Sequence, residues 1–207
     1  MRAIEAKRRL YDAGVPAMGT ADAAMLLGMT SSHASRVLER LADAGQVVRL
    51  KRGVWGISER LDQLQVPEHL TAPQACYISL QSALFFHEMI SQIPNVVYAV
   101  SPARTRRWET PLATVSVHHV DPSFFYGFET VNNGKVKMAT PEKALLDCLY
   151  LSPAKSRLFA SLPELHLEGV FDAGAAERLL DQLDSISLRN TLRARLMRLI
   201  DRAESDQ

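Results

Sequence analysis

Residues 20–57 read TADAAMLLGMTSSHASRVLERLADAGQVVRLKRGVWGI, and the first part of the fold turns on this stretch. Thr20 is the expected N-cap of a short helix through Leu27. Gly28 breaks that helix and Thr30 caps a second one. In the second helix Ala34, Val37, Leu38 and Leu41 recur at i, i+3, i+4 and i+7, so one apolar stripe faces a core. Gly45 stops it. Val47–Leu50 and Val54–Ile57 then read as two strands around the turn Lys51-Arg52-Gly53, with Trp55 packing the hairpin onto the helices. Two helices joined by a glycine turn and followed by a basic hairpin predict a winged helix-turn-helix. Its second helix has the shape that enters a DNA major groove.

Polar residues off the apolar stripe suit that role. Ser31, Ser32 and His33 fill the first turn, where free N–H groups and short hydroxyls meet phosphates or base edges. Arg36 is the candidate base reader, because arginine pairs bidentately with guanine. Ser35 and Arg40 extend the same face, and Arg49, Lys51 and Arg52 cluster on the hairpin. Residues 1–58 hold nine Lys/Arg against five Asp/Glu, a net of +4, while the whole chain is +1, leaving −3 for the rest. Charge segregated onto a domain of this size is the footprint of a phosphate binder. The competing reading is a three-helix core with a polar outer face and no nucleic-acid partner, since winged domains also serve as protein-interaction modules.

The chain's 207 residues suit one large or two small domains, and 47% hydrophobic content suffices for a packed core. The opening MRAIEAKRRLYDAG is charged and lacks an apolar signal core. No apolar run approaches the roughly 18 residues that span a bilayer. Cys76 and Cys148 are far apart, which suggests neither a disulfide framework nor a zinc site. A cytoplasmic protein with buried, reduced thiols, and without a membrane partner, metal or cofactor, is expected.

Ala3–Ala13 reads as a first helix with Ile4 and Tyr11 inward and Arg2, Lys7, Arg8 and Arg9 outward, either as a solvated face or beside a DNA backbone. In residues 59–73, ERLDQLQVPEHLTAP, two prolines and no sustained stripe suggest a linker. A second domain, 74–207, follows. Ala75–Ile90 is apolar at helical spacing. Val96–Val100, Ala113–Val120 and Phe124–Val131 read as strands, and Asn132-Asn133-Gly134 is a hairpin signal leading into Lys135–Ala139. Thr140-Pro141 starts a helix that ends near Ser152-Pro153, and Ala175–Leu183 and Leu188–Ala203 are two more amphipathic helices. The expected class is α+β: an N-terminal winged helix, then an α+β domain with an antiparallel sheet and C-terminal helices.

The order of a winged helix, Tyr77-Ile78-Ser79-Leu80-Gln81-Ser82-Ala83-Leu84, strands, and Thr140-Pro141-Glu142-Lys143-Ala144-Leu145-Leu146-Asp147 resembles the AbiEi-type antitoxins over nearly the whole chain. These are the transcription-regulating partners in AbiE (type IV) toxin–antitoxin operons. The resemblance implies an autorepressor that binds inverted repeats in its promoter through the winged helix. It also implies a C-terminal domain that counteracts a nucleotidyltransferase-like toxin of the AbiEii type, with direct contact left open. It carries no catalytic residues, and DNA contacts transfer only by helix and wing position.

Read physically, PEKALLD is a capped amphipathic helix. Ala144, Leu145 and Cys148 point inward, and Lys143 and Asp147 form an i,i+4 pair worth a few tenths of a kcal/mol. Two basic groups in the second domain are candidate partner contacts: Arg104, Arg106 and Arg107 in a Pro-bounded loop, and Arg195, Arg198 and Arg202 along the final helix. The alternative for both is snorkelling charge at the edge of packed elements. Adjacent His118 and His119 on a strand point to opposite faces, which opposes a shared metal. No Walker A, zinc motif or serine elbow is present, and the single Glu-x-Lys, Glu5-Ala6-Lys7, sits in a helix rather than on a nuclease strand, so the reading is non-catalytic. The rival function is a one-component regulator whose second domain binds a small ligand, with Phe124, Phe125, Tyr126 and Phe128 lining its pocket.

Overall fold

A computed structural model describes residues 3–152 and 163–205. The chain is α+β, with eight α-helices and two sheets among those residues. The first part holds helix α1 (Ala3–Asp12), strand β1 (Ala17–Gly19), helices α2 (Thr20–Leu27) and α3 (Ser31–Asp43), and strands β2 (Val47–Lys51) and β3 (Val54–Ile57). The three strands form an antiparallel sheet in the order β1-β3-β2. The stripe on α3 is buried as its spacing predicts, with Val37, Leu38 and Leu41 against Ala6, Leu10, Leu27 and Trp55.

The local chemistry explains these boundaries. Thr30 caps α3, its hydroxyl accepting from His33 N at 3.4 Å. Gly28 closes α2 at φ +66°, a left-handed conformation that glycine adopts without a Cβ clash. Gly19, not Thr20, is the N-cap of α2. Thr20 is the first helical residue, and its hydroxyl accepts from the Trp55 indole at 2.9 Å. In α1 the inward residues are Ala6 and Leu10, one turn apart, while Ile4 is 77% exposed and Tyr11 is also exposed. Arg2 lies outside the described residues. Strand β1 has no sequence signal, being three residues long and paired only at the edge of the sheet.

The stretch read as a linker is packed structure. After a 3-10 turn (Gln63–Gln65), helix α4 spans Val66–Thr71, and Leu61, Val66 and Leu70 are buried in the larger core together with Leu50 of β2. Pro67 sits in the first turn of α4, where its missing N–H costs nothing, and Pro73 lies just past the helix end.

The remaining strands are β4 (Tyr77–Ile78), β5 (Val97–Ser101), β6 (Arg106–Glu109), β7 (Thr114–His119), β8 (Phe128–Val131) and β9 (Val136–Ala139), in the order β6-β7-β5-β4-β9-β8. The sheet is mixed rather than antiparallel, because β4–β9 and β5–β7 run parallel. Helices α5 (Leu80–Phe86), α6 (Pro141–Leu151), α7 (Ala173–Asp181) and α8 (Ile186–Ser205) complete the described fold. Ala75–Ile90 is therefore a two-residue strand followed by a short helix, not one helix. Its apolar run serves a strand buried on both faces of the sheet, which periodicity does not separate from a buried helix. Phe124 closes a 3-10 turn, and the strand starts only at Phe128. Asn132, Asn133 and Gly134 all take positive φ and join β8 to β9 as their sequence predicts. Helix α6 runs to Leu151, and Pro153 lies outside the described residues. No helix among the described residues is long and apolar enough to cross a membrane.

Candidate nucleic-acid interface

Helix α3 is anchored by its buried stripe, which leaves Ser31, Ser32, His33, Arg36 and Arg40 exposed. Arg36 and Arg40 stand one turn apart on one face, and neither has an ion-pair partner among the described residues. Ser35 is half-buried, and its hydroxyl turns back to Glu39 Oε1 at 3.4 Å along its own helix. It is the least available of the predicted contacts on α3.

Beside the helix, the β2–β3 hairpin presents three cations in different states. The Arg49 guanidinium lies 5.5 Å over the Trp55 ring. Arg52 stands exposed at the tip. Lys51 is half-buried, and one of its three N–H donors is committed to the Leu70 carbonyl at 2.8 Å. Burial, and then the nearby Arg106 charge, push its pKa below the usual lysine value. Lys51 thus fastens the hairpin to α4 rather than projecting freely from the tip. Replacing it with methionine should lower unfolding free energy by about 1–2 kcal/mol, because the α4 carbonyl loses a charged donor. Urea denaturation measures this, and an unchanged midpoint would show that the fastening carries no weight.

The predicted basic groups of the second part separate. Arg104, Arg106 and Arg107 are exposed, but Arg106 and Arg107 sit on an edge strand, not in a loop. Arg106 pairs with Val117 and Arg107 with Ser116, so their side chains leave opposite faces of the sheet. On α8 the cluster dissolves. Arg195 donates to the carbonyls of Leu149 at 2.8 Å and Ser152 at 2.6 Å, so it caps the end of α6 instead of waiting for a partner. Arg198 donates to Ala194 O one turn back, and Arg198 and Arg202 are both exposed without a described ion pair.

A buried polar cluster was not anticipated. Lys143 and Asp147, expected as an i,i+4 pair worth a few tenths of a kcal/mol, are 0% exposed and joined at 2.5 Å. Asp147 also accepts from Ser79 Oγ at 2.6 Å and Tyr77 OH at 3.0 Å. The Lys143 ammonium lies 3.3 Å from the Phe124 ring centroid, with Tyr126 and Tyr77 further out. Burial pushes the Lys143 pKa down and the Asp147 pKa up, while their mutual contact opposes both shifts. Burial, reinforced by Asp147, holds the Tyr77 pKa well up, so Tyr77 keeps its proton and donates. Gly127, at φ +75°, makes room: a Cβ there would stand 3.0 Å from Lys143 Cγ.

The aromatic residues expected to line a ligand pocket instead close around this cluster, with Tyr77 stacked on Phe128 at 4.7 Å. A separate cleft of about 920 Å3 is lined by Phe85, Phe86, Ile93, Val97, Leu112 and His166, among others. His118 is buried against Ser116, while His119 is exposed against the Pro102 carbonyl. No protein-family model matches the chain, and no curated protein matches it in sequence.

Proposed function

We propose that the protein is an antitoxin and transcriptional autorepressor of the AbiEi type, a non-catalytic, cytoplasmic protein that binds promoter DNA through an N-terminal winged helix. The observation that carries this reading is the exposed Ser31–Ser32–His33–Arg36–Arg40 face of α3, free of described ion pairs and flanked by Arg52 on the hairpin. Three helices and a β1-β3-β2 sheet support the winged-helix description. Unpaired arginines on a rigid helix have the geometry for base edges, and a cation at a hairpin tip has the geometry for phosphate. The second part of the chain then carries the antitoxin role against a nucleotidyltransferase-like toxin. Its support is the resemblance of residues 77–84 and 140–147, whose Tyr77, Ser79, Lys143 and Asp147 meet in one cluster.

Binding to the duplex upstream of its own gene tests the reading. Arg36→Ala should weaken binding by about 1–3 kcal/mol and relax sequence preference. Arg52→Ala should instead lower the magnitude of the salt slope by about 0.9 with little change in preference. Equal binding by both variants and the parent chain would remove α3 and the hairpin from the interface. Footprinting of the same duplex should protect two half-sites, since the reading implies an inverted repeat. A single short protected site would contradict that part.

A further inference from the structure

We propose that Arg106, on the edge strand of the larger sheet, is a further DNA-phosphate contact, so that the second part of the chain helps to hold the duplex. This rests on the winged-helix reading above. The first support is mechanical. Leu50 of the wing is buried with Leu61, Val66 and Leu70, and Lys51 donates to Leu70 O. The wing is therefore fixed to α4. Helix α4 in turn packs against β5 and β7, and β6 pairs with β7 at the edge of the sheet. This chain of contacts brings β6 beside the wing.

The second support is electrostatic. The Arg106 charge is felt at Lys51, where it adds to burial in lowering the lysine pKa. Like charges brought together without a counter-charge repel one another, and neither Arg106 nor Lys51 has an ion pair among the described residues. An anion bound across them relieves that repulsion. A polyanion fits best, because the exposed Arg36, Arg40 and Arg52 already make a polyanion the expected ligand of the winged helix. Arg106 is also partly ordered in advance, its guanidinium lying 5.0 Å over the Trp108 ring.

The third support separates neighbours. Pairing with Val117 puts Arg106 on one face of the sheet, and pairing with Ser116 puts Arg107 on the other. Two adjacent arginines of equal charge and exposure thus make opposite predictions.

The test uses the full chain and the duplex upstream of its own gene over a salt series. Arg106→Ala should lower the magnitude of the slope of log K against log salt by about 0.9, while Arg107→Ala leaves it unchanged. Arg106→Lys, which keeps the charge, should retain most of the slope. A parent-like slope for Arg106→Ala overturns the inference, as do equal losses from Arg106→Ala and Arg107→Ala. Loss of protection against the toxin by Arg106→Ala with an unchanged slope also overturns it, and assigns the residue to a protein partner. A parent chain that binds neither this duplex nor a random-sequence one removes the winged-helix reading itself, which distinguishes the two failures.

Discussion

Replacing Asp147 with alanine should lower unfolding free energy by about 3–5 kcal/mol, because it strands a buried ammonium. The carboxylate is the shared acceptor for Lys143, Ser79 and Tyr77, all within the larger core. Without it, Lys143 must give up its proton or draw water into a site ringed by Phe124, Tyr126 and Tyr77, and two hydroxyls lose their acceptor. Lys143→Met should cost less than Asp147→Ala, since methionine suits the aromatic surroundings and Asp147 keeps two donors. The double variant Lys143→Met/Asp147→Ala should cost clearly less than the sum of the two single losses. Such coupling marks a pair whose partners are harmful alone. Urea denaturation of the four proteins closes the cycle. Losses of only a few tenths of a kcal/mol would mean that the pair behaves as a solvated surface bridge.

The same pair shows what the sequence carries and what it withholds. The spacing of Lys143 and Asp147 on a helix was legible, and so was the Thr140 cap, whose hydroxyl accepts from Lys143 N. Their burial was not. The partner that closes the cluster, Ser79, lies 68 positions away, and α6 is buried on every side rather than along one stripe. The α3 helix read correctly because a single face meets the core, so polarity and exposure coincide. Strand β6 was missed for the opposite reason: RRWE on an exposed edge has no alternation to read. Arg195 was misread because a helix-end carbonyl leaves no mark in the sequence of a distant helix. Of the candidate interface, α3 and the hairpin were thus legible, whereas the commitment of Lys51 to α4 was not.

That commitment sets the expected result of dividing the chain. A fragment of residues 71–207 should fail to unfold cooperatively, while 59–207 should do so. Prolines make the 59–73 stretch look like a natural cut, yet Leu61 is 7%, Val66 0% and Leu70 3% exposed, all within the larger core. Full burial of one Val or Leu side chain is worth about 1.5–3 kcal/mol. Losing three takes roughly 5–9 kcal/mol, comparable with the whole stability of an ordinary domain. The shorter fragment also loses the Glu68–Lys137 ion pair. Both fragments lack Leu50, so a difference between them isolates residues 59–70. Urea unfolding followed by near-ultraviolet circular dichroism measures it. A protection assay against the toxin is then informative only with 59–207, because failure of an unfolded 71–207 says nothing about where antitoxin activity resides. If the two fragments share one unfolding midpoint, α4 contributes little to the larger core and the boundary drawn at the prolines is sound.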